Sequence, residues 1–319
     1  MNSFENFRLS KQLLNAIDEL GFDTPTPIQT ESFPVIMSGK DMVGIAQTGT
    51  GKTLAYMLPI LHELKFSKQN NPRILVLVPT RELVIQVVDQ FKSISTYLNV
   101  RVLGVYGGVN INTQKMAAAQ GTDILVATPG RLYDLALSGS VQLKGIGKLI
   151  IDEVDVMLDL GFRFQLKNIF ELMPDRRQNI MFSATMTEEV DELIEDFFIA
   201  PAKISIAVSG TPLNNISQQC YPAKNFNTKV NLLNHLVSNW QEFRKVLVFV
   251  SNKKRADRLY ETMEAELGKQ VGIIHSDKTQ SHRIKAISLF DKGSNRILIT
   301  TDVMARGLDL EMIKHVINF

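Results

Sequence analysis

Ala46-Gln47-Thr48-Gly49-Thr50-Gly51-Lys52-Thr53 is the stretch that decides the fold of this chain. It follows the short apolar run Met42-Val43-Gly44-Ile45 and precedes Leu54-Ala55-Tyr56-Met57-Leu58, so it reads as strand, glycine-rich turn and helix. Gly49 and Gly51 let the backbone turn so that successive N–H groups converge on an anion. The N-terminus of the helix that begins near Lys52 adds its partial positive charge at the same point. In that setting the Lys52 ammonium reaches the outer phosphates of a nucleotide and the Thr53 hydroxyl ligates Mg²⁺. Ala46 stands where the strict pattern has its first glycine; it is still small, and the Gly51-Lys52-Thr53 end is intact. A chance turn containing these residues would not be flanked by a strand and a helix on the correct sides. The stretch implies a nucleoside triphosphate site in an α/β fold.

Working outward, 319 residues exceed one ordinary domain and imply two of roughly 150 residues. Hydrophobic residues at 45% and charged residues at 21% exclude disordered, fibrous and membrane-embedded classes. A formal net charge of +2 means that any nucleic-acid footprint is local. Cys220 is the single cysteine, which excludes an internal disulfide and fits a reducing compartment. The five histidines lack metal-ligand spacing, so no zinc site is expected. No apolar run has spanning length and the N-terminus carries no leader pattern, so a cytoplasmic, soluble monomer is the expectation.

Upstream of the loop, Ser10 is placed to cap a helix through Leu20, with Leu13, Leu14, Ile17 and Leu20 on one face and Gly21 ending it. The next segment, Gly21-Phe22-Asp23-Thr24-Pro25-Thr26-Pro27-Ile28-Gln29, reads as extended and stiffened by its prolines. Phe22 offers a stacking face, and the Gln29 amide donates and accepts at once, as an adenine edge requires. Taken alone these are ordinary core and loop residues; their place before a phosphate loop makes them candidate base readers.

Downstream, short buried-looking strands are expected at 74–78, 102–106, 123–127, 149–151 and 180–182, with helices at 81–96 and 164–173 between them. Runs without clear alternation fit a parallel sheet covered on both faces. Residues 207–224, broken by Gly210, Pro212, Asn214 and Asn215, read as a linker between a domain at 1–206 and another at 225–319. The second domain repeats the pattern, with strands expected at 246–250, 271–274, 296–300 and 315–318. Lys253-Lys254-Arg255 reads as a solvated helix face.

Asp152-Glu153-Val154-Asp155 closes an apolar strand about a hundred residues after the phosphate loop, where a metal-holding carboxylate belongs. Asp152 is the candidate metal ligand, largely through water, and Glu153 the group that orients or deprotonates an attacking water. Ser183-Ala184-Thr185 ends another apolar strand, and its hydroxyls are placed to hydrogen-bond Asp155. Without the phosphate loop these would be an acidic turn and a helix cap.

Together these segments resemble the DEAD-box ATP-dependent RNA helicases. Further matching stretches are Pro79-Thr80-Arg81-Glu82-Leu83, Gly107-Gly108, Thr128-Pro129-Gly130-Arg131 and Thr301-Asp302-Val303-Met304-Ala305-Arg306-Gly307-Leu308-Asp309. The resemblance runs from Phe4 to Phe319, with Val154 departing from the usual alanine. It implies two RecA-like α/β domains in tandem, ATP and Mg²⁺ as cofactors, and RNA held by its sugar–phosphate backbone. Nucleotide binding is implied for Phe22, Thr24, Gln29, the loop from Ala46 to Thr53, Gly307 and Asp309. RNA binding is implied for Pro79, Thr80, Arg81, Gly108, Thr128, Pro129, Gly130, Arg131, Arg283 and Thr301, with Arg81 equally able to be a structural ion-pair partner. Asp155, Ser183, Thr185 and Asp302 are implied to couple nucleotide state to strand separation.

Nothing here matches the arginine-bearing segment that follows in the family, which leads us to expect an incomplete second domain with an open sheet edge. A chain of these residues is then expected to bind ATP and RNA with weak hydrolysis, because such an arginine contributes about 10³–10⁵ in rate. Two rival readings stand beside an RNA helicase: a non-catalytic, ATP-dependent RNA clamp, and a DNA helicase or translocase.

Overall fold

The computed structural model describes residues 3–206, 216–301 and 313–319. Its first sheet has seven strands: β1 (Met42–Ile45), β2 (Ile74–Leu77), β3 (Val102–Val105), β4 (Ile124–Ala127), β5 (Lys148–Ile151), β6 (Gln178–Ser183) and β7 (Ala202–Ser205). They lie in the order β3-β4-β2-β5-β6-β1-β7 and every pairing is parallel.

Side chains that alternate along each strand explain why the sequence itself shows so little alternation. Ile74 and Val76 of β2 enter one hydrophobic core with Ile124, Val126, Ile150, Ile180 and Phe182. Leu75 and Leu77 enter the opposite core with Leu125, Ala127, Leu149, Ile151 and Met181. Both faces are covered, so both residue sets are apolar. The helices Lys11–Glu19, Pro27–Met37, Lys52–Glu63 and Arg81–Ile94 supply the first core. Pro129–Leu137, Val154–Asp159, Arg163–Leu172 and Glu188–Phe197 supply the second. Gly44 in β1 has a local reason: a Cβ there would stand 2.7 Å from the Phe182 ring.

Two expectations change. The segment before the phosphate loop is not extended throughout, because Pro27 begins the helix Pro27–Met37. A proline at the first helical position loses no hydrogen bond, and Thr26 with Gln29 supplies the capping spacing that signals such a start. The second change is β7, a strand at the sheet edge with only Ile204 buried, which left no apolar run to notice.

The second sheet contains β8 (Val246–Phe249), β9 (Val271–Ile274), β10 (Ile297–Thr300) and β11 (His315–Asn318) in the parallel order β11-β8-β10-β9. Val230, Leu233 and Val237 of the helix Phe226–Ser238 and Ala256, Leu259 and Met263 of Lys253–Leu267 cover one side. Ala286 and Phe290 of Gln280–Asp291 pack with Leu247 and Leu298 on the other. The chain thus packs as two compact α/β units, Met1–Pro212 and Leu213–Phe319, each built on a parallel sheet. Among the described residues no helix is long and apolar enough to cross a membrane.

Candidate functional site

Strand register gathers the motifs of the first unit on one rim. Ile45 pairs with Ser183, and Leu77 pairs with both Ala127 and Ile151. The loops that follow β1, β2, β4, β5 and β6 therefore leave the sheet at one level, at the carboxyl ends where α/β sheets bind ligands. Because β6 lies between β1 and β5, the phosphate loop, the Ser183 segment and the acidic loop emerge side by side.

In the phosphate loop Gly49 and Gly51 have φ of +78° and +88°, the left-handed region that glycine enters without strain. Ala46 is buried and donates its N–H to the Ser183 carbonyl at 3.0 Å, while the Thr50 hydroxyl donates to the Gln47 carbonyl at 2.7 Å. Gln47, Thr48 and Thr53 line the same turn with partial or full exposure. No side chain caps the helix Lys52–Glu63, so its first N–H groups are open to an anion.

Lys52 and Asp152 are 6% and 5% exposed, yet the Lys52 Nζ and the Asp152 Oδ1 have no hydrogen-bond partner. Burial pushes the Asp152 carboxyl above its ordinary range, and the nearby Lys52 charge opposes that rise. Buried charges without hydrogen bonds are costly and rare. An ammonium awaiting acceptors and a carboxylate awaiting donors, beside an uncapped helix, fit a phosphate chain with a hydrated divalent cation. Among the described residues no cluster of three ligating side chains could hold a metal. A Mg²⁺ held by one carboxylate, the Thr53 hydroxyl, water and phosphate oxygens would need no such cluster.

Glu153 has φ 55° and ψ 49°, a left-handed conformation unusual outside glycine, at the start of the helix Val154–Asp159. Strain of this kind persists where its surroundings fix it; here the Asp152 N–H is tied to the Leu77 carbonyl at 2.9 Å. Asp155 accepts from the Thr185 N–H at 3.1 Å and the Thr185 hydroxyl at 2.9 Å. The Ser183 hydroxyl turns instead to the Thr185 carbonyl at 2.6 Å, so of the two expected partners only Thr185 meets Asp155. Ser183 shapes the loop that presents Thr185.

Phe22 is 45% exposed and Thr24 is exposed, both open to a base. Gln29 is buried, its Oε1 accepting from the Thr26 N–H at 2.9 Å and its Nε2 donating to the Gly51 carbonyl at 3.1 Å. Its amide thus fastens the upstream helix to the phosphate loop, leaving one N–H and one lone pair for a ligand.

The same rim, along β2, β4 and β3, carries the other segments. Thr80 follows Pro79 and caps Arg81–Ile94 through the Leu83 N–H at 3.3 Å. Arg81 lies over the Tyr106 ring, 5.5 Å from its centroid, and against Gly108, where a Cβ would fall 1.8 Å from the guanidinium. Thr128 precedes Pro129 and Gly130 at the start of Pro129–Leu137 without a side-chain cap, leaving N–H groups for a phosphate. Arg131 has internal partners: its guanidinium donates to Gln114 Oε1 at 2.8 Å and to the Val109 carbonyl at 3.0 Å. It pins the turn after Gly107-Gly108 to the helix, a positioning role that leaves other N–H groups of the guanidinium for the expected phosphate contact.

In the second unit Arg283 sits in the first turn of Gln280–Asp291 and Thr301 follows β10. Asp302, Gly307 and Asp309 lie outside the described residues. Two contributors escaped the sequence reading: Gln114, which receives Arg131, and Tyr56, whose buried hydroxyl borders Asp152 and Thr53. Tyr56 had a signal in its spacing, one helical turn after Lys52 and Thr53; Gln114 had none.

Residues 26–193 match the family model of the DEAD/DEAH box helicases, and residues 228–319 match that of the helicase conserved C-terminal domain. The chain is similar to DEAD-box ATP-dependent RNA helicase 40 of Oryza sativa subsp. japonica, at 37% identity over 100% of this chain and 40% of that protein. It is 37% identical to the DEAD-box ATP-dependent RNA helicase CshA of Bacillus cereus, over 100% of this chain and 60% of the relative. It therefore spans about half the length of these relatives. Among solved structures it resembles Saccharomyces cerevisiae Dbp5 bound to RNA and ADP BeF3, with a TM-score of 0.90 and 27% identity over 100% of this chain and 80% of that one. A phosphate loop facing a buried aspartate, on sheets of this topology, accords with those matches, and the chain belongs to the DEAD/DEAH box helicase family.

Proposed function

We propose that this chain forms the ATP- and RNA-binding part of an ATP-dependent RNA helicase. The observation that carries the reading is the buried Lys52 Nζ and Asp152 Oδ1, each without a hydrogen-bond partner, at an uncapped helix N-terminus on the same sheet rim as a second uncapped helix at Thr128. Lys52 neutralises the phosphates, Thr53 and Asp152 hold the hydrated Mg²⁺, and Glu153 orients the attacking water. Bound Mg²⁺ supplies Lewis-acid neutralisation of the phosphate charge. Phe22, Thr24 and Gln29 face the base. Residues 79–81, 108 and 128–130 contact sugar and phosphate rather than bases, so the chain takes single-stranded RNA with little sequence preference.

We take residues 1–206 as the nucleotide domain, 207–224 as a linker and 225–319 as the second helicase domain, which contributes Arg283, Thr301, Asp302, Gly307 and Asp309. Each ligand favours the same closed state, so ATP tightens RNA and RNA tightens ATP by one factor. A cytoplasmic location fits the lone Cys220, and a monomer is the default.

For a chain of these 319 residues, which contain no match to the family's arginine segment, the reading predicts ATP and RNA binding with weak hydrolysis. The test measures ATP hydrolysis by this chain and by one extended through such a segment, with RNA, with DNA and with neither. RNA-stimulated turnover in the extended chain alone is the expected result. Full turnover by the 319 residues would refute the weak-hydrolysis prediction. ATP-dependent RNA binding with no hydrolysis by either chain would favour the clamp, and stimulation by DNA would favour the translocase.

A further inference from the structure

Tyr56 is completely buried in the second turn of the helix Lys52–Glu63. Its ring is fixed among aromatics, 5.8 Å from the Phe182 centroid and 6.4 Å from that of Phe91. Packing alone would be served as well by phenylalanine. Side chains on a helix lean toward its N-terminus, so a residue three and four places after Thr53 and Lys52 reaches back over the turn that carries them. The Tyr56 hydroxyl accordingly borders the Asp152 carboxylate and the Thr53 hydroxyl. It forms no hydrogen bond of full geometry, and neither does Asp152 Oδ1. A buried hydroxyl without a partner is destabilising unless some state of the protein satisfies it.

We propose that Tyr56 is a positioning residue of the Mg²⁺ site, its O–H donating to the Asp152 carboxylate when a hydrated divalent cation and phosphates are bound. The inference rests on the nucleotide reading above. A carboxylate that holds metal through water must present its oxygens in a fixed plane, and outer partners of metal ligands set that orientation. Lys52 cannot do this while its ammonium serves the phosphates. The groups that adjoin Asp152 as donors are the Glu153 N–H and the Tyr56 hydroxyl, and Tyr56 is the side-chain donor among them.

Tyr56→Phe removes one oxygen and leaves the ring contacts in place. Binding of ATP to the 319-residue chain would be followed by isothermal titration across a Mg²⁺ series and again in EDTA, with thermal unfolding alongside. The expected result is an apparent Mg²⁺ affinity about tenfold weaker in Y56F, with unchanged affinity for ATP in EDTA. Tyr56→Leu, which disturbs packing, should lower the unfolding temperature where Y56F does not. An unaltered Mg²⁺ dependence in Y56F overturns the inference and leaves the nucleotide reading standing. Equal losses with and without Mg²⁺ also overturn it, since they mark packing. A wild-type chain that binds no ATP at any Mg²⁺ concentration overturns both.

Discussion

At Gly51 a methyl group would stand 2.4 Å from the Gln29 Nε2, 3.1 Å from the Thr26 hydroxyl and on a backbone with φ of +88°. The left-handed conformation costs about 1–2 kcal/mol for a residue with a Cβ, and the clash would break the Gln29–Gly51 hydrogen bond as well. Gly51→Ala is therefore expected to lower the unfolding free energy by roughly 2 kcal/mol. ATP affinity should fall further than fold stability accounts for, measured by urea unfolding beside nucleotide titration. Lys52, Thr53, Asp152 and Glu153 could be read as candidates because the loops that carry them follow short apolar strands. The sequence did not show how Arg131 and Gln29 are used, since an exposed-looking cation or amide reads as a ligand contact until its internal acceptors are known. Arg131 donates to Gln114 and Val109, which no spacing rule connects to it.

Among elements, the ends of the strands opposite the site are tied by Asp123. Its carboxylate accepts from Arg73 at 2.8 Å and from the Arg101 side chain and N–H at 3.0 Å each, joining the starts of β2, β3 and β4. Burial by itself would raise the Asp123 pKa, but the bonds from Arg101 and Arg73 overcome it and hold the group below the ordinary carboxylate range. A lowered folded pKa means stability that is present above about pH 4 and lost as pH falls through the folded value. Asp123→Asn should remove about 1–2 kcal/mol at pH 7 and flatten the loss of stability below pH 4, in thermal unfolding run from pH 7 to pH 3. Strands were the most legible elements: the expected run at 271–274 is β9 itself, and that at 74–78 exceeds β2 by one residue. The helix Pro27–Met37 was hidden by two prolines read as stiffeners, although its Thr26-to-Gln29 spacing carried the signal. Strand order was not written in any local pattern, because pairing joins distant residues, as Ile74 joins Ile124 and Met42 joins Ala202.

Over the whole molecule, the small net charge conceals a division. Residues 213–319 carry 16 Lys and Arg against 10 Asp and Glu, an excess of +6, which leaves −4 of the total +2 for the first unit. If the chain takes RNA as proposed, the second unit is expected to contribute most of the salt-dependent attraction. The logarithm of RNA affinity should fall with the logarithm of salt by about 0.7 per phosphate neutralised. The slope should be shallower for residues 1–206 than for the full chain, in fluorescence anisotropy with one oligonucleotide. The placement of β1 has a consequence for the making of the protein. Its two neighbours are β6 and β7, so Met42 pairs with Ile180 and Ala202. At translation speeds of about 5–20 residues per second, the phosphate loop is made roughly 8–30 s before the strands that must flank it are complete. Until residue 205 is free, Lys52 belongs to an unfinished sheet. Nascent chains would acquire the nucleotide site late and all at once.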